Sequence, residues 1–171
     1  SINQSLNFIR LIIQDDFANV SRETLENIKE VTAMYIEAET ITNAVYLSKE
    51  FEIVGELSQP EEIAWLAGKT NCLKLIPAEF KISDADVEKA SLIRFCNQED
   101  DTVENINVFF FPEGRVMAVK ARVPYLYRID IHECREFFQK CDKYVEEANR
   151  KKKKKMCGFG FYLNIPDELK A

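Results

Sequence analysis

Residues 104–150 constrain this chain more than any other stretch, because a hairpin pattern is followed there at once by an amphipathic helix. Ile106, Val108 and Phe110 alternate with Asn105, Asn107 and Phe109, the period of two that marks a strand. Phe111-Pro112-Glu113-Gly114 is turn chemistry, with Pro pre-setting φ and Gly free to take a positive one. Arg115 to Val123 alternates again, with Met117, Val119, Ala121 and Val123 on one face. Asp130 and Glu133 then open a helix whose stripe is Ile131, Cys134, Phe138, Cys141, Val145 and Ala148. Strands feeding a helix make an α+β packing unit, and no catalytic motif coincides with this one.

The three consecutive rings add a requirement. Phe110 points with Ile106 and Val108, while Phe109 and Phe111 point the other way. Both faces of this strand therefore need cover, by helices on one side and by a partner or the C-terminal strand on the other.

A chain of 171 residues, 46% apolar and with twelve Phe, can fill the core of one domain. Five Gly and five Pro favour long regular elements. The net charge of −6 hides an asymmetry. Residues 1–112 carry nine Lys and Arg against twenty Asp and Glu, a net of −11, and residues 113–171 carry fourteen against nine, a net of +5. The acidic part disfavours general nucleic-acid binding, and the unlike charges can face each other in the fold. The five cysteines (Cys72, Cys96, Cys134, Cys141 and Cys157) include no C-x-x-C pair and read as reduced, mostly buried thiols. No signal-peptide pattern or membrane-spanning run of about 18 apolar residues occurs, so a cytoplasmic protein is expected.

Apolar spacing predicts helices over residues 3–17 and 22–38, joined as a helical hairpin. Residues 40–57 fit two short strands, Val45-Tyr46-Leu47 and Phe51-Glu52-Ile53-Val54-Gly55, although Ile41, Val45 and Leu47-Ser48 also fit a continued helix. Ser58, Pro60 and Glu61 start a short helix through Ala67, stopped by Gly68. Cys72 to Ile76 reads as a strand ended by Pro77. Ser83 caps a helix through Val87, Ala90, Leu92 and Phe95 to about residue 97. Past the lysine run, Gly158 to Ile165 reads as a further strand. Residues 1–150 thus form one domain, and 151–171 a basic run with a strand extension.

This order of elements resembles the type III secretion chaperones and the related bacterial sensory-transduction regulator family. The residues that carry the resemblance are Leu73-Lys74-Leu75-Ile76-Pro77 through Val87-Glu88-Lys89-Ala90, Asn97, the hairpin with Gly114 at its tip, and the closing helix. It covers about residues 22–150, and the segment 58–68 and everything beyond Arg150 lie outside its pattern. The resemblance implies a non-enzymatic, often dimeric module that binds a partner polypeptide, with no catalytic residues to carry over.

Candidate chemistry is sparse. His132 is the single histidine, so a two-histidine metal site within one chain is excluded. Asp84-Ala85-Asp86 and Glu99-Asp100-Asp101 lack the spacing and central Gly of a calcium loop. No phosphate loop, dinucleotide fingerprint or nucleophile elbow occurs. Neither a cofactor nor a metal is expected. Arg150 with Lys151, Lys152, Lys153, Lys154 and Lys155 is the most conspicuous charge feature. It suits a solvated helix end, or an anionic contact in which Phe159 and Phe161 stack on bases.

The expected fold is α+β, an antiparallel sheet of about five strands with helices packed mainly on one face. The expected function is a non-catalytic, chaperone-like or regulatory protein-binding module, possible as a homodimer, that presents a sheet face or helix groove. Phe109, Phe111 and Tyr127 are the expected partner contacts, although core roles suit them equally. The alternatives are a nucleic-acid or anion-binding protein using Arg150 to Lys155, and an enzyme whose carboxylates only the fold assembles.

Overall fold

A computed structural model describes residues 34–162, with side chains through Lys154. A 3-10 turn, Ala38–Thr40, leads into β1 (Asn43–Ser48) and β2 (Ile53–Leu57). There follow α1 (Pro60–Asn71), β3 (Ile76–Pro77), α2 (Asp84–Glu88), β4 (Ser91–Cys96), β5 (Ile106–Phe111), β6 (Arg115–Lys120), β7 (Val123–Arg128) and α3 (Ile131–Tyr162). The seven strands form one open antiparallel sheet in the order β2-β1-β4-β5-β6-β7-β3. The α+β class stands, with seven strands where about five were expected.

The two extra strands have identifiable origins. The segment 91–96, expected as helix, is a central strand between β1 and β5. Ser83 and Asp86 do form a capping box, but it starts only the single turn of α2. Leu92, Ile93, Phe95 and Cys96 are all buried, as in a strand covered on both faces, and such a run lacks the alternation that betrays a strand. The second origin is the turn after β6. Ala121 and Arg122 both take positive φ, 53° and 63°, which folds Val123 back as β7. That is the primed hairpin turn, built here without its usual Asn or Gly, so residues 115–123 read as one strand.

Other boundaries shift as well. Gly68 does not stop α1, which runs on to Asn71, and β3 is confined to Ile76–Pro77. Residues 34–37 are not helical, so the helix expected over 22–38 does not reach its end, and the helix expected over 3–17 lies outside the described residues. Helix α3 carries the lysine run and continues through Tyr162, so residues 158–162 of the expected last strand are helical. Residues 163–165 lie outside the description.

The expected split of the Phe rings is present. Phe110 stacks on Phe137 of α3 at 5.6 Å between centroids and meets Phe138 edge-on at 4.9 Å, within a core that includes Tyr46, Phe95, Ile63 and Leu66. On the opposite face, Phe109 and Phe111 join Leu47, Leu92, Met117 and Val119. Residues 78–90 of the same chain pack on this face through Phe80, Ile82, Val87 and Ala90. The Asp86 carboxylate meets Arg115 of β6 at 2.7 and 2.9 Å and accepts the Ser83 N–H at 2.9 Å. The guanidinium contact, then the Ser83 bond, hold that carboxyl well below the usual carboxylate range.

The rims of β2 and β7 are largely taken up, while the two-residue β3 is the other edge of the sheet. Asn149 donates to the Val54 carbonyl and Lys152 to the Glu56 carbonyl, so α3 occupies the outer rim of β2. At the other end β7 contains Pro124, which has no N–H, and its remaining rim meets β3 and the Ala78 N–H. The approach of α3 requires Gly55, where a Cβ would collide with the Val145 side chain. Gly114 is needed differently: its φ is +70°, and a Cβ would strike the Ile129 carbonyl.

These glycines separate by experiment. Gly68→Ala, in open space within a helix, should raise the unfolding free energy by about 0.5–1 kcal/mol in urea titration. Gly55→Ala should lower it by about 1–3 kcal/mol, and in a double-mutant cycle Val145→Ala should recover part of that cost. A destabilised Gly68→Ala would mean that α1 ends at that residue after all.

Candidate functional site

The three residues expected at a partner contact are interior. Phe109 is 0% exposed and Phe111 5%, both under residues 78–90, and their rings stack 6.3 Å apart. Tyr127 is 3% exposed in the helix-side core. None of the three offers a ring to the surface, and the structure does not gather them at one place: Phe109 and Phe111 share one face of the sheet and Tyr127 the other.

The lysine run is a helix surface. Arg150, Lys151, Lys153 and Lys154 are exposed, Lys152 is half-buried by its bond to Glu56, and the Lys155 side chain lies outside the description. Lys151 and Lys152 line a shallow recess with Gln59, Glu61, Glu62, Tyr144 and Glu147. Two lysines of the run thus line the same recess as carboxylates in the first turn of α1. Trp65 and Tyr144 stack at 3.9 Å and fasten α1 to α3 beside it. The side chains of Phe159 and Phe161 lie outside the description.

An open groove of about 500 Å³ lies elsewhere, between residues 34–41 and the β5–β7 side of the sheet. Its walls include Met34, Tyr35, Ile41, Val103, Ile106, Ala118 and Tyr125, and its rim carries Glu37, Glu104 and Lys120. Local structure explains the exposed ring. Asn71, at the end of α1, bonds both the N–H of Ile36 (2.8 Å) and its carbonyl (2.9 Å), while the Ile36 side chain is buried in the core. Along an irregular, extended stretch the neighbouring side chain faces away, and Tyr35 is left 66% exposed. Asn97 holds the Thr40 carbonyl at 2.8 Å and fixes the far end of the same stretch. Sequence reading misses this groove because its walls come from four separated segments, none with a motif.

Acidic and sulfur chemistry points inward. Asp142 accepts from the hydroxyls of Tyr46 and, at 3.2 Å, Ser48, at the interface of α3 with β1. Burial is the main cause that raises its pKa above the ordinary carboxylate value, with Glu50 and Glu146 adding to it against the two hydroxyls. Burial also raises the Tyr46 hydroxyl, further helped by the bond to Asp142. Tyr46 and Ser48 are fully buried, which keeps this cluster from a substrate. The sequence signal was present: Asp142 stands four residues after Phe138, at a position of the apolar stripe. Cys134 and Cys141 are pushed up to about 12 by burial, so neither thiol is a nucleophile near neutral pH. Among the described residues no cluster of three His, Cys, Asp or Glu is placed to hold a metal, and no helix is long and apolar enough to cross a membrane. The Asn107 side-chain oxygen is buried without a hydrogen-bond partner, at a residue 8% exposed.

The Asp142 pKa has a measurable consequence. Its folded value lies above the unfolded one, so the native state holds its proton longer and stability falls as pH rises through the folded value. Asp142→Asn keeps an acceptor for Tyr46 and removes the titration. Its stability relative to the parent should therefore grow as pH rises from about 4 towards neutral, in denaturant titrations at several pH values. A constant difference between the two proteins would show that Asp142 titrates alike in both states. No family model, curated protein or solved structure matches this chain.

Proposed function

We propose that this chain is a non-catalytic protein-binding module, chaperone-like or regulatory, that receives a partner polypeptide in the groove between residues 34–41 and the β5–β7 side of the sheet. The observation that carries this reading is the exposed Tyr35 ring beside the half-buried side chains of Met34, Val103 and Tyr125, over a buried floor of Ile41, Ile106 and Ala118. A rigid aromatic at an apolar recess is the arrangement from which hot spots are built. The other routes to a partner are less open: residues 78–90 lie on one sheet face, α3 meets the rim of β2, and the β3 edge is only two residues long. The buried setting of Asp142 and Cys141, and the raised thiol of half-buried Cys134, give no support to an enzymatic reading.

One observation favours a second reading. Arg150, Lys153 and Lys154 are exposed at i, i+3 and i+4 of α3 and so share one face, which suits an anionic ligand such as nucleic acid. The two readings respond to different changes. Binding of a purified partner should weaken about tenfold or more in Tyr35→Ala, with an unchanged melting temperature, and persist when Arg150, Lys153 and Lys154 are replaced by Ala. Binding that is indifferent to Tyr35, falls steeply with salt and disappears on replacing Arg150, Lys153 and Lys154 by Ala would instead establish the second reading.

A further inference from the structure

The charges at the mouth of the groove narrow what it accepts. Glu37 and Glu104 stand on its rim, both exposed, and neither makes an ion pair among the described residues. Acidic neighbours extend this field: Glu39 follows Glu37 by two residues, and Glu99-Asp100-Asp101 lead into Val103 and Glu104. That loop is shaped by its own hydrogen bonds. Asn97 accepts from the N–H groups of Glu99 and Asp100, and Asp100 accepts from the N–H and hydroxyl of Thr102. Its side chains that bond the backbone leave Glu99, Asp101 and Glu104 exposed. The rim has one cation, Lys120, with Arg122 in the turn beyond it. An apolar recess with a net negative mouth repels an acidic peptide and costs a neutral one nothing, whereas a cation next to the anchor gains on both carboxylates.

We propose that the groove takes a short basic segment of a partner polypeptide: an aromatic or large aliphatic anchor against Tyr35, Met34, Val103 and Tyr125, with a Lys or Arg beside it facing Glu37 and Glu104. This rests on the reading of the groove as the partner site and adds the class of sequence it selects. A volume of about 500 Å³ suits one or two side chains of an extended segment and not a folded domain. Steering by the acidic mouth gives the interaction a salt-dependent association rate, while the buried anchor governs dissociation.

The test is selection of a random 12-residue peptide library displayed on phage against the full chain, followed by titration of synthetic peptides. The expected result is enrichment of Lys or Arg within a few residues of an aromatic or large aliphatic anchor. Affinity for such a peptide should fall tenfold or more in Glu37→Lys/Glu104→Lys, and the same variant should gain affinity for a copy with its cations replaced by Glu. Tyr35→Ala should weaken both peptides. If the enriched peptides are neutral or acidic yet depend on Tyr35, the charge preference is overturned and the groove remains the partner site. If basic peptides bind unaffected by Tyr35→Ala but are lost when Glu61 and Glu62 become Lys, they occupy the recess on α1, and both readings fall. An absence of any enriched peptide likewise overturns both. Selected peptides that match residues 150–162 of this chain, together with a dimer in sedimentation that Glu37→Lys/Glu104→Lys dissociates, would replace the foreign partner by a second copy.

Discussion

The structure depends on the burial of β4 and β5 on both faces. A central pair with apolar side chains above and below cannot be stabilised by one layer of helices, so the chain must supply two covers. Helix α3 and α1 provide the first, through Phe137, Phe138, Ile63 and Leu66. The second has little regular structure: residues 78–90 bring Phe80, Ile82, Val87 and Ala90 down onto Phe109, Phe111 and Met117. An irregular cover has few backbone bonds to hold it, which explains why its one turn of helix carries a bidentate, half-buried ion pair to Arg115. Loss of that pair would leave the face covered by side-chain packing and the short β3 contact alone.

The same requirement explains what can be read from the residues and what cannot. The β5–β6 hairpin was legible because Pro112 and Gly114 punctuate two alternating runs, and Phe109 and Phe110 announce two cores. The pair β1 and β2 was legible from short β-branched and aromatic runs. The segment 91–96 was not, since a strand buried on both faces carries no alternation and its apolar residues also match helical spacing. The turn at Ala121 and Arg122 was hidden for a different reason, in that neither residue is a usual choice for positive φ. The tertiary hairpin imposes that conformation against local preference.

The groove shows the limit more clearly. Its position follows from Asn71 and Asn97, each bonding the backbone of a distant segment, and no periodicity records such a contact. The residues singled out beforehand by size and hydrophobicity, Phe109, Phe111 and Tyr127, went to the interior for just those properties. Tyr35, one aromatic among six tyrosines in the chain, is exposed only because Ile36 next to it is held inward. In the lysine run, Lys151 and Lys152 line one recess with Glu61 and Glu62 of the acidic part.

The contacts of α3 with the rim of β2 also bear on the order in which the chain is made. Strand β2 is synthesised about 90 residues before Asn149 and Lys152, the side chains that occupy its outer carbonyls. During that interval the strand can pair with β1, yet its other rim stays available to any extended chain nearby. The closing helix therefore completes the core and ends the exposure of this edge in a single event. A nascent chain that stalls before residue 149 keeps a nearly finished sheet with one sticky margin, a substrate for holding factors or for aggregation.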